Sequence, residues 1–593
     1  MPERYSAITD VDGSLDFSAG VNSIKVSTIA SQRNPNGLAR NELAWLINAT
    51  VRDGGILPRN SIKDLGRVFG SSSVFDGGTL YYPDFGNPYF ILSISGHLWK
   101  LDPDNLPALV DLSASSGLTL PVGLDRFFSQ AEKYLVIQAG DNVSLPLFWD
   151  GATLRTSNGL QGNPKELPPA TAMDYYMGRL WYAQGRTYSA GDIVGSHTSG
   201  TLINNYRDSV LRVTENPLAI GGDGFTIPSG PDTIRALFHN ANLNSPLGQG
   251  QLFIGTRRAV YALQVPVTRN DWIAANTSNQ PLQTVVQLVN GPVNDRSVVP
   301  VNGDIFYQSL EPSIRSLFAA IRYFNQWGNI PLSSNEQRIL KFNDRSLLHA
   351  ASGIMFDNRL LQTALPKKVP QGVVHQGIIP LDFVPMNQFG SNQNPAWEGM
   401  LEGLDILNLY AGDFGGLERG FALAVSRTDQ SIHLWEMTTG LGSDVIATGE
   451  GRVIWVIETP AFTWNDEFAL KKLVGMDLWV DKLLGEVIFR VEYRPDSDPC
   501  WHQWQMWTEC QARNSCEDAI DPVCYPLTGY GESFRSTMTL AKPLPACESA
   551  TGRPNNVGYQ FQLRITVKGQ CRIRGFMIHA EPVERKLYQN IVC

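Results

Sequence analysis

Gly178-Arg179-Leu180-Trp181-Tyr182 is a turn residue followed by a short apolar and aromatic run, and it recurs along the chain. Such a run suits a pleated, half-buried surface, so it predicts a strand that begins at a turn. The other five copies are Ser95-Gly96-His97-Leu98-Trp99, Gly250-Gln251-Leu252-Phe253-Ile254, Gly303-Asp304-Ile305-Phe306-Tyr307, Ser352-Gly353-Ile354-Met355-Phe356 and Gln430-Ser431-Ile432-His433-Leu434-Trp435. Six copies of one strand phrase predict small sheets repeated around an axis, as in a β-propeller.

The composition fits a packed protein made of short strands. The chain has 593 residues, of which 43% are hydrophobic and 18% charged. This length suffices for roughly two to four domains. Its 54 glycines and 36 prolines are spread along the sequence, which indicates many short turns and few helices. We therefore expect an all-β fold: a β-propeller with a short helical insertion and a C-terminal β-sandwich-like domain.

Three domains are predicted from the order of these patterns. Residues 1–60 are expected to form an N-terminal arm and docking segment, with a hairpin over 51–59 that turns at Asp53-Gly54-Gly55. Residues 61–460 are expected to form the propeller, with a helical and loop insertion near 311–400. Residues 461–593 are expected to form the cysteine-containing β-sandwich-like domain, because runs of period two appear at 476–480, 486–493, 560–567 and 572–578.

Local turn and helix signals add detail to this plan. Hairpins are predicted at Ser95-Gly96, at Asp150-Gly151 and around Thr428-Asp429-Gln430. Residues 312–326 show helical spacing. Residues 333–340 carry a capping box, which pairs either Ser333 with Glu336 or Ser334 with Gln337. Residues 362–400 show little periodicity and are interpreted as a long loop.

The charge pattern argues against a protein that grips nucleic acid or enters a membrane. The formal net charge is −9, and basic residues cluster no further than doublets such as Arg257-Arg258, Lys367-Lys368 and Lys471-Lys472. A groove that holds phosphates needs more clustered positive charge. The N-terminus shows no apolar signal region, and no apolar stretch approaches the roughly 20 residues of a membrane span. We expect folding in a cytoplasm and no stable membrane insertion.

The cysteines are confined to the end of the chain, and no two have the C-x-x-C spacing of zinc or thioredoxin-like sites. Either they are reduced structural thiols, or some form disulfides after the protein leaves the cell. The candidates for disulfides are Cys500, Cys510, Cys516, Cys524, Cys547 and Cys571, and the seventh cysteine is Cys593.

Trp501, Trp504 and Trp507 step by three along the same C-terminal region. Exposed indoles at this spacing could stack on sugar rings or line a subunit interface, whereas buried indoles would belong to the core. Core or interface is favoured over sugar binding.

No group of residues singles out a catalytic, metal or cofactor site. Paired carboxylates on a propeller would suggest a glycosidase. However, the candidates Asp174, Asp192, Glu398 and Asp405 are four among 57 acidic residues, and no pair stands out. The eight histidines lack metal-site spacing, and His433 is interpreted as a hydrogen-bonded structural residue. The Gly-rich run 412–416 lacks the Lys-Ser or Lys-Thr of a P-loop and is interpreted as a turn. We expect a protein that is not an enzyme, with no catalytic residue, metal or cofactor.

Several phrases together resemble the tail nozzle proteins of short-tailed bacteriophages, the tail tubular protein B type. They cover most of residues 15–440 in the family's order, while the cysteine-bearing end matches loosely, at 493–497, at Trp501 and at 573–576. The phrases are Gly20-Val21-Asn22-Ser23, Asn41-Glu42-Leu43-Ala44, Asn48, Val51-Arg52-Asp53-Gly54-Gly55-Ile56, Arg59, Gly178-Arg179-Leu180-Trp181-Tyr182-Ala183, Ala190-Gly191-Asp192-Ile193, Gly291-Pro292, Arg296-Ser297-Val298, Gly303-Asp304-Ile305-Phe306-Tyr307-Gln308-Ser309, Ile314-Arg315-Ser316-Leu317, Pro331-Leu332-Ser333, Phe356-Asp357-Asn358-Arg359-Leu360-Leu361, Phe421-Ala422-Leu423 and His433-Leu434-Trp435-Glu436.

This resemblance implies a structural virion protein: a homo-hexameric ring in the phage tail, assembled in the host bacterial cytoplasm. Its expected partners are the adaptor or portal-proximal tail protein, tail fibres or spikes, and genome DNA that passes through without specific binding. Six copies of a chain with a net charge of −9 carry a formal −54, which suits a conduit that does not retain phosphates. Residues 385–395 are a candidate gate or docking loop.

Two alternatives to the nozzle interpretation remain. The first is a receptor- or glycan-binding tail protein on a propeller scaffold, which uses the tryptophan-rich end. The second is a glycan hydrolase on the same scaffold.

Overall fold

The fold begins with an N-terminal segment of nine short strands, which extends to Phe69 in the computed structural model. They are β1 (Asp10–Ser14), β2 (Gly20–Val21), β3 (Val26–Ile29), β4 (Gly37–Leu38), β5 (Glu42–Leu43), β6 (Trp45–Ile47), β7 (Ala49–Thr50), β8 (Leu57–Pro58) and β9 (Ile62–Phe69). The structure describes all residues except 1–9, 33, 107, 197–206, 229–231, 242–248, 267, 278–283, 302, 318–330, 385–394, 439–442, 447–448, 511–535, 541–542, 544–553 and 584–593.

The N-terminal segment contributes strands to two large sheets. Strands β1, β3, β4 and β6 belong to a C-terminal sheet of ten strands, whereas β2, β5 and β9 belong to a sheet of twelve strands. The predicted hairpin over 51–59 is confirmed, with β7 and β8 paired antiparallel. Asp53 and Gly54 both have positive φ at its turn, which explains the Asp-Gly-Gly sequence there.

Five small antiparallel sheets follow and form the blades of a β-propeller arrangement. Blades 1 to 4 have four strands each, and blade 5 has three. Blade 1 is β10 (Phe75–Tyr81), β11 (Tyr89–Ile94), β12 (His97–Leu101) and β13 (Leu109–Asp111); blade 2 is β14 (Phe127–Ala131), β15 (Tyr134–Gln138), β16 (Leu147–Trp149) and β17 (Leu154–Thr156); blade 3 is β18 (Ala172–Tyr176), β19 (Arg179–Gln184), β20 (Thr187–Ala190) and β21 (Phe225–Thr226); blade 4 is β22 (Ile234–Ala241), β23 (Gln249–Thr256), β24 (Ala259–Leu263) and β25 (Thr284–Val289); blade 5 is β26 (Val299–Val301), β27 (Asp304–Ser309) and β28 (Ser313–Ser316).

The twelve-stranded sheet closes the ring and is called the closing sheet below. Besides β2, β5 and β9 it contains β29 (Gly353–Phe356), β30 (Arg359–Val369), β31 (Gly372–Asp382), β32 (Ala396–Trp397), β33 (Leu401–Phe414), β34 (Leu417–Val425), β35 (Ile432–Met437), β36 (Ser443–Ile446) and β37 (Gly449–Arg452). Blade 1 contacts it through β10 and β33, and blade 5 contacts it through β26 and β29. Blades 1 to 4 touch one another through their first strands, β10, β14, β18 and β22, so these first strands line the propeller axis.

All six recurring phrases form strands, as predicted: β12, β19, β23, β27, β29 and β35. The three predicted hairpins are also confirmed, between β11 and β12, between β16 and β17, and between β34 and β35. Ser95 and Gly96 have φ of 50° and 79°, which is the left-handed backbone that a two-residue hairpin requires.

A separate apolar cluster fills each interface around the ring. Blades 3 and 4, for example, share a cluster in which Trp181 meets Trp272 edge to face at 5.4 Å between ring centroids, with Phe225 at 6.1 Å from Trp272. Large aromatic side chains bury about 150–250 Å² each, worth several kcal/mol at about 25 cal/mol per Å². The blades are therefore held to each other by burial of apolar surface.

The C-terminal sheet is built on two long antiparallel strands that are far apart in the sequence. Its strands besides those of the N-terminal segment are β38 (Ile454–Phe462), β39 (Lys471–Pro495), β40 (His502–Cys510), β41 (Ser536–Leu540), β42 (Val557–Gly558) and β43 (Phe561–Pro582). Pairing between β39 and β43 shifts register around Asp481 and Leu484, next to Lys482 and Gly485 with positive φ. Strands β39 and β43 place their buried side chains in one large core cluster, to which the N-terminal segment adds residues such as Trp45.

The helical predictions are corrected in part. Residues 313–316, predicted as helix, form strand β28, because Ile314 packs toward the closing sheet and Leu317 toward blade 4. Residues 318–326 lie outside the described residues. Helical turns at 332–340 are confirmed as a 3₁₀ turn (Leu332–Glu336) and one α-turn, but the capping box is absent: the Ser333 hydroxyl accepts from the Ile314 amide at 2.8 Å.

The described α-helices are all short: α1 (Leu112–Ser116), α2 (Pro217–Ile220), α3 (Arg269–Thr277) and α4 (Gln337–Leu340), the last being the α-turn just described. Further 3₁₀ turns lie at Ser209–Leu211 and Leu348–Ala350. Within the described part of the chain, no helix has the length and apolar character needed to cross a membrane.

The long loop predicted over 362–400 is wrong for most of its length. Strands β30 and β31, each of eleven residues, form a hairpin there, with Arg359 paired to Asp382 and Val369 to Gly372. The glutamines that suggested a loop are bonded inside the fold: the Gln362 amide donates to the Ser297 carbonyl at 2.9 Å. Polar side chains that donate to backbone carbonyls can therefore lie in a buried strand, which their polarity alone does not reveal.

Candidate functional site

Charged side chains from three distant parts of the sequence meet in a buried cluster beside the closing sheet. We call it the ionic junction, and it consists of Arg52, Asp357, Arg359, Asp382 and Glu398. Arg52 follows β7, Asp357 and Arg359 flank the turn between β29 and β30, Asp382 ends β31 and Glu398 follows β32. The junction therefore ties the N-terminal segment to the closing sheet.

Arg52 makes the most extensive contacts of the junction. Its Nε and Nη2 donate to the two carboxylate oxygens of Asp382 at 2.7 and 2.9 Å, and its Nη1 donates to Asp357 at 2.8 Å. Burial alone would lower the pKa of Arg52, but the bonded Asp382 and the nearby Asp357 outweigh it and raise that pKa. A two-point bond of this kind fixes orientation as well as charge.

Arg359 and Glu398 form the second half of the junction. Arg359 donates through Nε to Glu398 at 2.9 Å and through Nη2 to the Thr50 hydroxyl at 2.7 Å. The Thr50 hydroxyl and the Val51 amide both donate to the other oxygen of Glu398. Burial raises the pKa of the Glu398 carboxyl despite the Arg359 guanidinium. Glu398 is thus held by groups from both sides of the contact.

A cavity of about 70 Å³ lies next to the junction. Arg59, Arg359 and Glu398 line its polar end, and apolar side chains such as Phe356 and Met437 line the rest. Arg59 is itself fixed by a two-point bond to Asp444 at 2.7 and 2.8 Å.

Chemically, the junction is suited to holding two segments together. Each of the three carboxylates accepts hydrogen bonds from an arginine, so each is engaged in an ion pair. Across the residues that the structure describes, no group of three or more His, Cys, Asp or Glu side chains could hold a metal ion. No pattern in the sequence predicts these pairings, although Arg52, Asp357 and Arg359 occur in the phrases of the nozzle resemblance.

The three predicted tryptophans are half-buried on β40 or just before it. Trp507 stacks on Phe489 with ring centroids 5.3 Å apart, and Trp504 meets Tyr493 edge to face at 5.8 Å; both pack against the C-terminal core. The guanidiniums of Arg494 and Arg564 lie over the Trp501 ring at 4.6 and 4.2 Å from its centroid. Trp501 is therefore the member of the set at a charged, partly open surface.

The four carboxylates considered for catalysis are separated, each with its own structural partners. Asp174 lies 2.7 Å from His239 Nδ1, and Asp405 accepts from Arg427 at 2.7 Å. Asp192 is fully buried and accepts from the amide of Thr214, and Glu398 belongs to the ionic junction. They do not converge on one site.

The remaining predicted residues fall in varied places. Cys571 is buried in β43 and Cys500 is exposed, and the two do not form a disulfide with each other. The side chains of Cys510, Cys516, Cys524, Cys547 and Cys593 lie outside the described residues, as does nearly all of the candidate gate at 385–395. His433 is hydrogen-bonded, as predicted: its Nδ1 lies 3.0 Å from Asp64 and its Nε2 lies 2.9 Å from the Ser431 hydroxyl. Of the run 412–416, predicted as a turn, Gly415 and Gly416 form the turn between β33 and β34, whereas residues 412–414 end strand β33.

Comparison with known proteins yields structural likenesses without sequence relatives. No protein-family model and no curated protein matches the chain. Among solved structures, YCF48 bound to D1 peptide is 9% identical over 64% of this chain and 96% of that one, with a TM-score of 0.33. Trypanosoma rangeli sialidase is 8% identical over 88% and 95%, with a TM-score of 0.27. A mutant Aleuria aurantia lectin in complex with alpha-methyl-L-fucoside is 10% identical over 65% and 95%, with a TM-score of 0.27. Likenesses this distant carry no inference about activity, and a propeller scaffold is compatible with enzymes and non-enzymes alike.

Proposed function

We propose that this protein is a structural component of a short phage tail, in which six copies form a nozzle ring that conducts genome DNA. In this proposal the protein breaks no bonds. The propeller and the C-terminal sheet supply a stiff body, the ring docks against the adaptor or portal-proximal tail protein, and fibres or spikes attach around it.

The ionic junction is the observation that carries this proposal. Its residues Arg52, Asp357 and Arg359 belong to two of the phrases that resemble the nozzle family, although they lie some 300 residues apart in the sequence. Two further phrases meet where the Ile314 amide donates to the Ser333 hydroxyl. A resemblance concentrated in buried contacts between segments supports a shared architecture. Shared catalytic residues would instead be expected in an open cleft.

Electron microscopy and light scattering of the purified full-length chain test the proposal. We expect a six-fold ring with a central opening wide enough for duplex DNA, and a mass of six copies in solution. A chain that stays monomeric at high concentration and under virion-like conditions would overturn it.

A matched pair of variants then asks whether the junction supports the ring. Arg52→Leu removes a buried guanidinium and should reduce the yield of rings, whereas Arg427→Leu removes an exposed one and should leave rings intact. Equal ring yields from the two variants would show that the ionic junction does not support ring assembly.

The second candidate function is binding of a receptor or glycan. The observation in its favour is the half-buried Trp501, an indole next to the guanidiniums of Arg494 and Arg564. Aromatic rings and arginines together suit the ring face and the acidic group of a charged sugar. A glycan array probed with the wild type and with Trp501→Ala would test this function. Two results together would favour glycan binding over the nozzle function. Trp501→Ala should abolish binding, and the control Trp507→Ala should stay folded and still bind.

A further inference from the structure

Charged residues gather at one end of the propeller axis, the end at which the axis-lining strands begin. Asp125 lies just before β14, Arg235 lies at the start of β22, and Arg296 lies just before β26. His349 lies four residues before β29 and joins the same group: its Nδ1 is 2.8 Å from the Asp125 carboxylate, which also accepts from Arg296 at 3.0 Å.

Arg235 differs from the other members of this group because its guanidinium forms no ion pair or hydrogen bond with the residues that the structure describes. Its Nε is buried and, among the residues that the structure describes, has no hydrogen-bond partner. It also occupies a β-bulge: Ile234 pairs with Thr256 and Ala236 with Gly255, so Arg235 is the extra residue between them. Bulges commonly redirect a side chain beside a functional site.

Arg257 brings a second positive charge to the same place. It follows Thr256 in the turn between β23 and β24, and so lies next to the bulge that contains Arg235. The two like charges are close enough that Arg257 contributes to lowering the pKa of Arg235, after burial as the main cause. No ion pair or hydrogen bond of the Arg257 side chain is found within the described ranges.

The carboxylates nearby are already bound to other groups. Asp232 accepts from the amides of Thr233 and Arg258, at 3.0 and 2.9 Å, and Asp125 is bound to Arg296 and His349. Arg235, half-buried with an unsatisfied donor, thus lies near the like charge of Arg257, while the neighbouring Asp232 and Asp125 act on it without a hydrogen bond among the described residues. Repelling guanidiniums in this arrangement are stabilised by an anion that accepts hydrogen bonds from both.

We infer that Arg235 and Arg257 bind an oxyanion, a carboxylate or phosphate group of a ligand. The site lies at the end of the propeller axis at which the axis-lining strands begin. The inference does not depend on the proposed tail function, because it rests on the propeller alone.

Isothermal titration of the full-length protein with inorganic phosphate and with glucuronate, at constant ionic strength, tests the site. We expect saturable binding of at least one probe, and the probe that binds distinguishes a phosphate from a carboxylate ligand. Arg235→Gln and Arg257→Gln should each weaken binding about tenfold, because each removes charge-assisted hydrogen bonds. Absence of saturable binding by both probes would overturn the inference.

Arg186→Gln is the matched control. Arg186 is exposed in the β19–β20 turn of blade 3, the position equivalent to the turn that holds Arg257 in blade 4, and the substitution removes the same charge. We expect it to leave the affinity unchanged. If it weakens binding as much as Arg257→Gln does, the attraction is non-specific and the site does not exist. Arg257 lies in a turn, so Arg257→Gln keeps the test valid even if Arg235→Gln disturbs blade 4.

Discussion

The blade interfaces and the ionic junction join parts of the same molecule by opposite means. Between blades 3 and 4 the contact is apolar, with Trp181, Trp272 and Ile254 buried together. Between the N-terminal segment and the closing sheet the contact is ionic, with two arginines and three carboxylates that are mostly buried. Apolar contacts lose stability in proportion to the atoms removed, whereas buried charges depend on every partner being present. The junction therefore tolerates fewer alternative arrangements than the blades do.

Removing one arginine of the junction should have the largest effect. Arg359→Leu leaves Glu398 buried without its charge partner, and we expect a loss of about 3–5 kcal/mol in the free energy of unfolding. Urea denaturation followed by tryptophan fluorescence measures it. The double variant Arg359→Leu with Glu398→Leu should recover much of the loss, because no unpaired carboxylate remains there. A single-variant loss below about 1 kcal/mol would show that the junction is not buried as described.

A buried polar group without a charge partner should respond to acid. His375 in β31 is fully buried, and burial lowers its pKa to about 3. Its neutral form therefore stabilises the fold above the unfolded pKa of 6.5, and this contribution is lost as the pH falls below that value. At pH 5 the loss is about 2 kcal/mol at about 1.4 kcal/mol per pH unit.

His375→Gln should remove this part of the acid sensitivity. Unfolding midpoints in urea at pH 7 and pH 5 would be compared for the wild type, for His375→Gln and for His97→Gln, which changes a more exposed hairpin histidine. A wild type and a His375→Gln variant with the same drop in midpoint would contradict the assignment.

Trimming a blade interface should cost less than breaking the junction. Ile254→Val removes one methylene from the cluster between blades 3 and 4, and we expect a loss of about 1 kcal/mol. The urea midpoint should shift without a change in slope. A loss as large as that of Arg359→Leu would erase the contrast between the two kinds of contact.

An exposed ion pair should matter least. Arg427 donates to Asp405 at the surface of the closing sheet, with about half of its side chain in solvent. Arg427→Leu should therefore change the free energy of unfolding by less than about 1 kcal/mol. The same urea denaturation measures this change in the free energy of unfolding. A larger loss would mean that burial does not decide how much an ion pair contributes to stability in this fold.

The turns of the fold could be predicted from sequence because their signal is local. Ser95-Gly96 and Asp53-Gly54 adopt left-handed backbone that few other residues accept, so the residue types mark the place. The predictions for residues 313–316 and 362–382 are wrong because the environment of these residues is not local. Ile314 and Leu317 are buried against different neighbours, and the Gln362 amide donates to a carbonyl of another segment.

The ionic junction shows a similar limit. Charge alone cannot reveal that Arg52 binds Asp382, because the two are 330 residues apart and 57 acidic residues compete for the pairing. The partners become evident only when the fold packs the segment that follows β7 against the ends of β30 and β31.

The pairing of β1 with β43 joins Asp10–Ser14 to Phe576–Ala580, nearly the full length of the chain apart. On the ribosome, a nascent chain has made every blade long before it makes β43, so the propeller has time to close first. The C-terminal sheet is completed only after β43 emerges and pairs with β1. A truncated translation product would consequently hold a finished propeller with unpaired strand edges, which makes it easy for quality-control proteases to tell from the finished molecule.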